Sequence, residues 1–214
     1  MKSVLIIGAG QFGCHVAKTM SELRCEIMAV DIDEKCINDI LPYVTGAQIG
    51  DATNADFLKS LGIRNFDVCI VAVGEDFLNS LQITALLKEL GAEMILSRAR
   101  NDVQEKFLLR NGADEVVYPE KQSARRIAVK LSSDAILDFI ELDEDHSIYE
   151  MAMPKEWVGK NLIQLDIRRK YNLNVISIKR GGKVILPAPD APMNADDVLY
   201  IIGEMKDVRK CFKI

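Results

Sequence analysis

Gly8-Ala9-Gly10-Gln11-Phe12-Gly13 follows an apolar run at residues 4–7, and an acid, Asp31, stands eighteen residues past Gly13 at the end of a second apolar run, 27–30. Glycines at this spacing, closing a strand and opening a helix, form a cradle for the phosphates of a nucleotide. Gly8 permits the tight turn, Gly10 lets a diphosphate approach the backbone, and Gly13 lets the helix lie close to the strand. The free amides of the helix start then face the phosphates. Asp31, with Ile32 beside it, stands where a carboxylate accepts hydrogen bonds from ribose hydroxyls and repels a 2′-phosphate, so an unphosphorylated ribose is expected rather than NADP. The plain alternative is a glycine-rich turn that holds nothing.

Three further groups fall at expected strand ends. Asp51, Ala52 and Thr53 follow the third strand, and Val73, Gly74 and Glu75 close the fourth. Arg98 and Arg100 follow the fifth, where a guanidinium can reach terminal phosphates. Each group also reads as ordinary turn and cap chemistry. No catalytic residue is assigned. The two histidines fall in unpromising places, His15 inside the first helix and His146 in the acidic turn Asp143-Glu144-Asp145. The sequence contains no G-x-S-x-G, H-E-x-x-H or P-loop pattern. The nucleotide is therefore expected to act as an effector. An NAD-dependent oxidoreductase with an unrecognised substrate domain is the alternative. A redox-sensing repressor would need a basic helix-turn-helix, for which the segment with Arg125, Arg126 and Lys130 is the sole candidate.

These residues need a scaffold, and the hydrophobic pattern supplies one. Strand-like runs at 4–7, 27–30, 47–49, 68–73, 94–96 and 115–118 alternate with helix-like segments at 11–22, 34–40, 55–60, 77–90 and 103–110. That alternation predicts an α/β fold, a Rossmann-like doubly wound parallel sheet whose ligand sits beyond the carboxyl ends of the strands. The nucleotide-binding domain is expected over 1–134, ending in a helix at about 120–133. That helix's stripe of Ala124, Ile127, Ala128 and Leu131 must be buried on its own sheet, on the second domain or on another subunit. Residues 135–214 predict a small α+β C-terminal domain with strands at 136–142, 147–152, 175–179, 184–186 and 198–202. A hairpin is expected at Gly181-Gly182 and one helix at 161–170.

Composition narrows the function classes. The 214 residues are 49% hydrophobic with a net charge of −5, an acidic balance that argues against a nucleic-acid footprint. Cys14, Cys25, Cys36, Cys69 and Cys211 form no C-x-x-C pair and are expected as free, buried thiols. Apolar runs are far shorter than a membrane helix needs, and the glycine motif begins almost at once, so a cytoplasmic protein is expected.

Taken together, the glycine run, the Val30-Asp31 pair, Gly50-Asp51-Ala52-Thr53, Ala72-Val73-Gly74, Gly112-Ala113-Asp114 and Pro119-Glu120 resemble the regulator-of-potassium-conductance family. More narrowly, they resemble the cytosolic regulatory subunits of bacterial Trk and Ktr potassium uptake systems. The resemblance covers essentially the whole chain. It implies ATP, ADP or NAD(H) bound as effector in the first domain, and dimers assembled into an octameric ring under a potassium-translocating membrane subunit. The protein would then be peripheral on the inner face of the membrane, with a second regulatory subunit as a further partner. ATP-responsive members commonly carry Arg where this chain has Gln11, a neutral donor, which leaves Arg98 and Arg100 to compensate at the terminal phosphate. Glu120 matches a position where relatives hold a divalent or monovalent cation at the dimer interface, with an ion pair to Lys121 as the alternative. Ile163, Arg168, Asn174 and Pro189 lie in the stretch where some relatives bind a cyclic dinucleotide.

Overall fold

The computed structural model describes every residue from Met1 to Ile214 except Glu75. The chain divides into two compact units, Met1–Glu120 and Lys121–Ile214.

The first unit alternates strand and helix throughout. Its elements are β1 (Ser3–Ile7), α1 (Gln11–Glu22), β2 (Glu26–Asp31), α2 (Glu34–Ile40), β3 (Gly46–Ile49), α3 (Ala55–Ser60), β4 (Val68–Val71), α4 (Phe77–Glu89), β5 (Ile95–Arg98), α5 (Asp102–Arg110) and β6 (Glu115–Val117), after which α6 (Pro119–Leu131) begins. All six strands are parallel in the order β3-β2-β1-β4-β5-β6, so the doubly wound expectation holds. The two faces of β1 show why. Leu5 and Ile7 pack with Leu58, Val71, Ile83 and Leu87 on one side, while Val4 and Ile6 pack with Ala17, Ile37 and Ile40 on the other. A strand covered twice by helices must be apolar at every position, which is why 4–7 is a continuous run without alternation. The order reverses between β1 and β4, and the crevice outside their carboxyl ends is where such sheets take ligands.

The second unit holds β7 (Ile136–Glu141), β8 (His146–Ala152), α7 (Leu162–Leu165), α8 (Ile167–Tyr171), β9 (Asn174–Arg180), β10 (Lys183–Ile185), β11 (Val198–Glu204) and α9 (Met205–Phe212). Its antiparallel sheet runs β10-β9-β11-β8-β7. On β8, Ser147, Tyr149 and Met151 are buried and alternate with more exposed neighbours, the signature of a sheet covered on one face. The expected hairpin is present, with Gly181 and Gly182 at φ +53° and +79°, the left-handed pair that a two-residue turn requires.

The compact units divide at 120/121, where the sequence places a domain boundary at 134/135. Arg126 Nε donates to Asp138 Oδ1 at 2.8 Å, Arg125 pairs with Glu141, and Val129 packs on the second core, contacts that tie α6 to β7. Two expectations need correction. The single helix expected at 161–170 is two, since Asp166 adopts φ +46° and breaks the run between α7 and α8. Helix α9 was not anticipated, although Val208 and Cys211 at helical spacing bury its inner face. The stripe on α6 is not covered by its own sheet: no residue of that helix is buried, and Ile127 and Leu131 stand 57% and 77% exposed.

Candidate functional site

The site is built where β1 runs into α1. Gly8 has φ +99°, a conformation side-chain-bearing residues avoid, and a Cβ there would lie 2.9 Å from the Val73 amide nitrogen. Gly13 is still more constrained, because a Cβ at this position would sit 2.0 Å from the Gly8 carbonyl oxygen. Gly10 differs from both: no described atom lies within 4 Å of where its Cβ would be, so that side of the turn is open to an incoming group.

The amides at the start of α1 have no intrahelical acceptor, as at any helix start. What distinguishes α1 is that among the described residues no side chain caps them. Gly10 supplies no capping side chain, and the first turn carries no acid. The next four helices of the same sheet are each closed by a side chain: Asp33 caps α2, Asn54 caps α3, Asp76 caps α4 and Asn101 caps α5. An anion is the natural partner for the open amides of Gln11, Phe12 and Gly13.

Asp31 stands at the end of the neighbouring strand, and its first role is structural. Its Oδ2 accepts from the Ala9 amide at 2.7 Å and its Oδ1 from the Asp33 amide at 2.9 Å, so the carboxylate ties the glycine turn to β2. The sequence-based expectation was of ribose hydroxyls alone. Each oxygen retains a second acceptor position, so the two roles are compatible. Ile32 follows with its side chain 71% exposed.

The loop after β3 is first a turn. Asp51 Oδ1 accepts from the Thr53 amide at 2.9 Å and its hydroxyl at 2.7 Å, and the Thr53 hydroxyl and amide together hold the Asp51 carboxyl below its ordinary range. Ala52 is packed into the core. Gln82 Nε2 donates to the Thr53 carbonyl at 3.0 Å, which fixes the loop against α4.

Beyond β4, Val73 approaches Gly8 and Gly74 lies beneath two guanidinium groups. A Cβ on Gly74 would meet Arg98 Nη1 at 3.0 Å and Arg100 Nε at 3.3 Å. Glu75, expected in the same group, lies outside the described residues. The Arg98 guanidinium stands 5.4 Å from the centre of the Phe12 ring and pairs with Glu120, and its Nε is buried without an acceptor. The Arg98–Phe12 contact had no signature in the sequence, since eighty-five positions separate the two. Burial alone would raise the Glu120 carboxyl, but hydrogen bonds from its own amide and from Arg98, with the nearby charges of Arg98 and Arg100, hold it below the ordinary range. Among the described residues no group of three or more His, Cys, Asp and Glu could hold a metal ion.

Of the second-unit candidates, Ile163 and Pro189 meet through a main-chain hydrogen bond of 3.2 Å, while Asn174 opens β9 and Arg168 lies on α8. The cysteines are free; burial pushes the Cys69 thiol up to about 12 and Cys211 up to about 11, which leaves both protonated at neutral pH. His146 faces Asp143 in an exposed turn, Nδ1 to Oδ1 3.2 Å, away from any other chemistry. Among the described residues no helix is long and apolar enough to cross a membrane.

The TrkA-N domain family matches residues 4–119 and the TrkA-C domain family residues 147–214. The chain is 42% identical to the Ktr system potassium uptake protein C of Bacillus subtilis strain 168, over 98% of this chain and 95% of that one. It is 38% identical to the Ktr system potassium uptake protein A of the same organism, with the same coverage. Among solved structures, the GsuK channel bound to NAD superposes on 98% of this chain with a TM-score of 0.69 at 14% identity, a likeness of fold. The chain spans 38% of that channel's length.

Proposed function

This chain belongs to the TrkA-N/TrkA-C family of Ktr-type potassium-uptake regulatory subunits, and from that premise we propose that it senses an adenine nucleotide and gates potassium flux through a separate membrane protein. The nucleotide is a signal and is not turned over. The observation that carries this reading is the uncapped start of α1, facing the open side of Gly10 with Asp31 on one flank and Arg98 on the other. Amides supply the phosphate site, Asp31 the ribose end, and the guanidiniums the outermost charge. Among the described residues no acid–base pair is poised beside this crevice, which suits a binding module better than a dehydrogenase.

NAD(H), ADP and ATP all carry the required diphosphate, and the NAD-bound state of the GsuK channel supports placing NAD in that group. A ligand shifts a conformational equilibrium only by its unequal affinity for the two states, and about 1.4 kcal/mol of difference per site is a tenfold bias. Identical sites in an assembly would add their effects. The exposed stripe at Ile127 and Leu131 supports self-association, because a soluble subunit rarely leaves such a helix face in water.

Thermal melting with ATP, ADP, AMP, NAD and NADH tests the site. A specific ligand at one hundred times its Kd stabilises by about 2.7 kcal/mol, and Asp31→Ala is expected to abolish the shift while lowering the ligand-free melting temperature by a few degrees. Equal shifts in wild type and variant would remove Asp31 from the site, and no shift with any adenine compound would end the reading. Sustained NADH oxidation with added acceptors would turn it toward an oxidoreductase.

A further inference from the structure

The Arg98–Glu120 pair is asymmetric, and the asymmetry indicates which partner is free to leave. Arg98 is fixed. Its side chain is 16% exposed, its guanidinium stands against the Phe12 ring of the first turn of α1, and its Nη1 lies 3.0 Å from where a Cβ on Gly74 would be. Glu120 is 53% exposed at the first turn of α6, so its carboxylate can rotate into water with little loss of solvation. The guanidinium also holds a buried Nε–H with no acceptor among the described residues. A planar cation with five donors, held beside a phosphate cradle and offered only one described carboxylate, is a site whose anion can be exchanged.

We propose that Glu120 is an internal competitor for Arg98: the terminal phosphate of a nucleotide seated at the glycine turn takes over the guanidinium, and the Glu120 carboxylate is released from it in the same event. The exchange substitutes one charge-assisted partner for another, and the phosphate brings more charge and more acceptor oxygens than the carboxylate it displaces. Glu120 is the last residue of the first unit and lies in the helix that carries the chain into the second, so occupancy of the nucleotide site is reported at the start of α6. The depressed carboxyl of Glu120 means that the competitor is ionised at neutral pH. Discrimination among ligands follows. A compound without phosphate cannot displace Glu120, and one whose outer phosphate falls short of Arg98 leaves the pair intact.

This inference rests on the nucleotide-sensing reading, and calorimetric titration separates the two. Adenosine, ADP and ATP are titrated into the full chain with EDTA present, so that no cation bridges carboxylate and phosphate. Glu120→Gln is expected to tighten ADP or ATP about fivefold, the scale of a half-exposed ion pair, and to leave adenosine unchanged. Arg98→Ala should weaken the same nucleotides, and in the double variant the gain from Glu120→Gln should vanish, because the competition no longer has an object. A melting temperature within a degree or two of wild type for Glu120→Gln shows that the fold is intact. Unchanged or weakened nucleotide affinity in Glu120→Gln overturns the proposal while leaving the nucleotide site standing. A gain that persists without Arg98 also overturns it, since simple charge repulsion would then be the cause. Failure of wild type to bind any adenine compound would remove both readings together.

Discussion

The mouth of the parallel sheet and the rim of the antiparallel sheet treat polar groups in opposite ways. In the second unit two acids are closely matched by arginines of the same unit. Asp197, whose side chain is wholly buried, accepts from Arg180 Nε at 2.7 Å, Arg180 Nη2 at 2.6 Å and the Asn194 amide at 2.8 Å, and Asp138 is gripped by Arg126. In the first unit the start of α1 is left uncapped and the Arg98 Nε without an acceptor. Buried polar groups without partners are costly, and a fold keeps them where something outside the chain completes them. The contrast is between one buried carboxylate that three donors of its own unit satisfy and one buried guanidinium nitrogen left for a partner from outside the described chain.

The comparison breaks most sharply at the glycines. Gly13→Ala puts a methyl group onto the Gly8 carbonyl, so α1 must move off β1; we expect a loss of about 3 kcal/mol in chemical denaturation and no nucleotide binding. Gly10→Ala meets no atom of the described residues, and its expected phenotype is the reverse, a melting temperature at or above wild type with nucleotide affinity lowered tenfold or more. If both variants lose stability equally, the open side of the turn is not reserved for a ligand.

In the second unit, Arg180→Ala is expected to cost about 2 kcal/mol, less than a fully buried pair because the arginine is about one-third exposed, with first-unit ligand affinity unchanged. Denaturant curves monitored through Trp157, which lies in that unit, would report it.

The smallest effect is the acid response of Asp138. The Arg126 hydrogen bonds, outweighing burial and helped by the Phe139 amide, lower its carboxyl from 3.8 to about 2. A depressed folded-state value means that the contribution is complete above the ordinary pKa and is lost as pH falls through about 2. Asp138→Asn should therefore be less stable than wild type at pH 6, and the difference should shrink between about pH 4 and 2 in acid-unfolding measurements.

Much of the first unit was legible because its signals are local. A run apolar at every position marks a strand covered on both faces, and three glycines between it and a helical pattern mark a turn with fixed backbone demands. The second unit was read less completely. Asp166 broke an apparently continuous helix, and α9 was short enough to pass as a terminal tail. The helix at Pro119–Leu131 was placed along the chain from its spacing, but its ion pairs to Asp138 and Glu141 could not be read there, because side-chain partners have no periodicity.

The order of residues by itself determined the architecture of the sheet, the glycine cradle and the candidacy of Asp31, since each depends on spacings of a few residues that backbone geometry enforces. Only the tertiary structure decided that Asp31 grips the Ala9 amide, that Arg98 stands over Phe12, and that Glu120 occupies Arg98. These contacts join residues twenty-two or more positions apart, brought together by strand order and not by distance along the chain. Their chemistry belongs to the crevice at the reversal of the sheet, which exists only once β1 and β4 lie side by side.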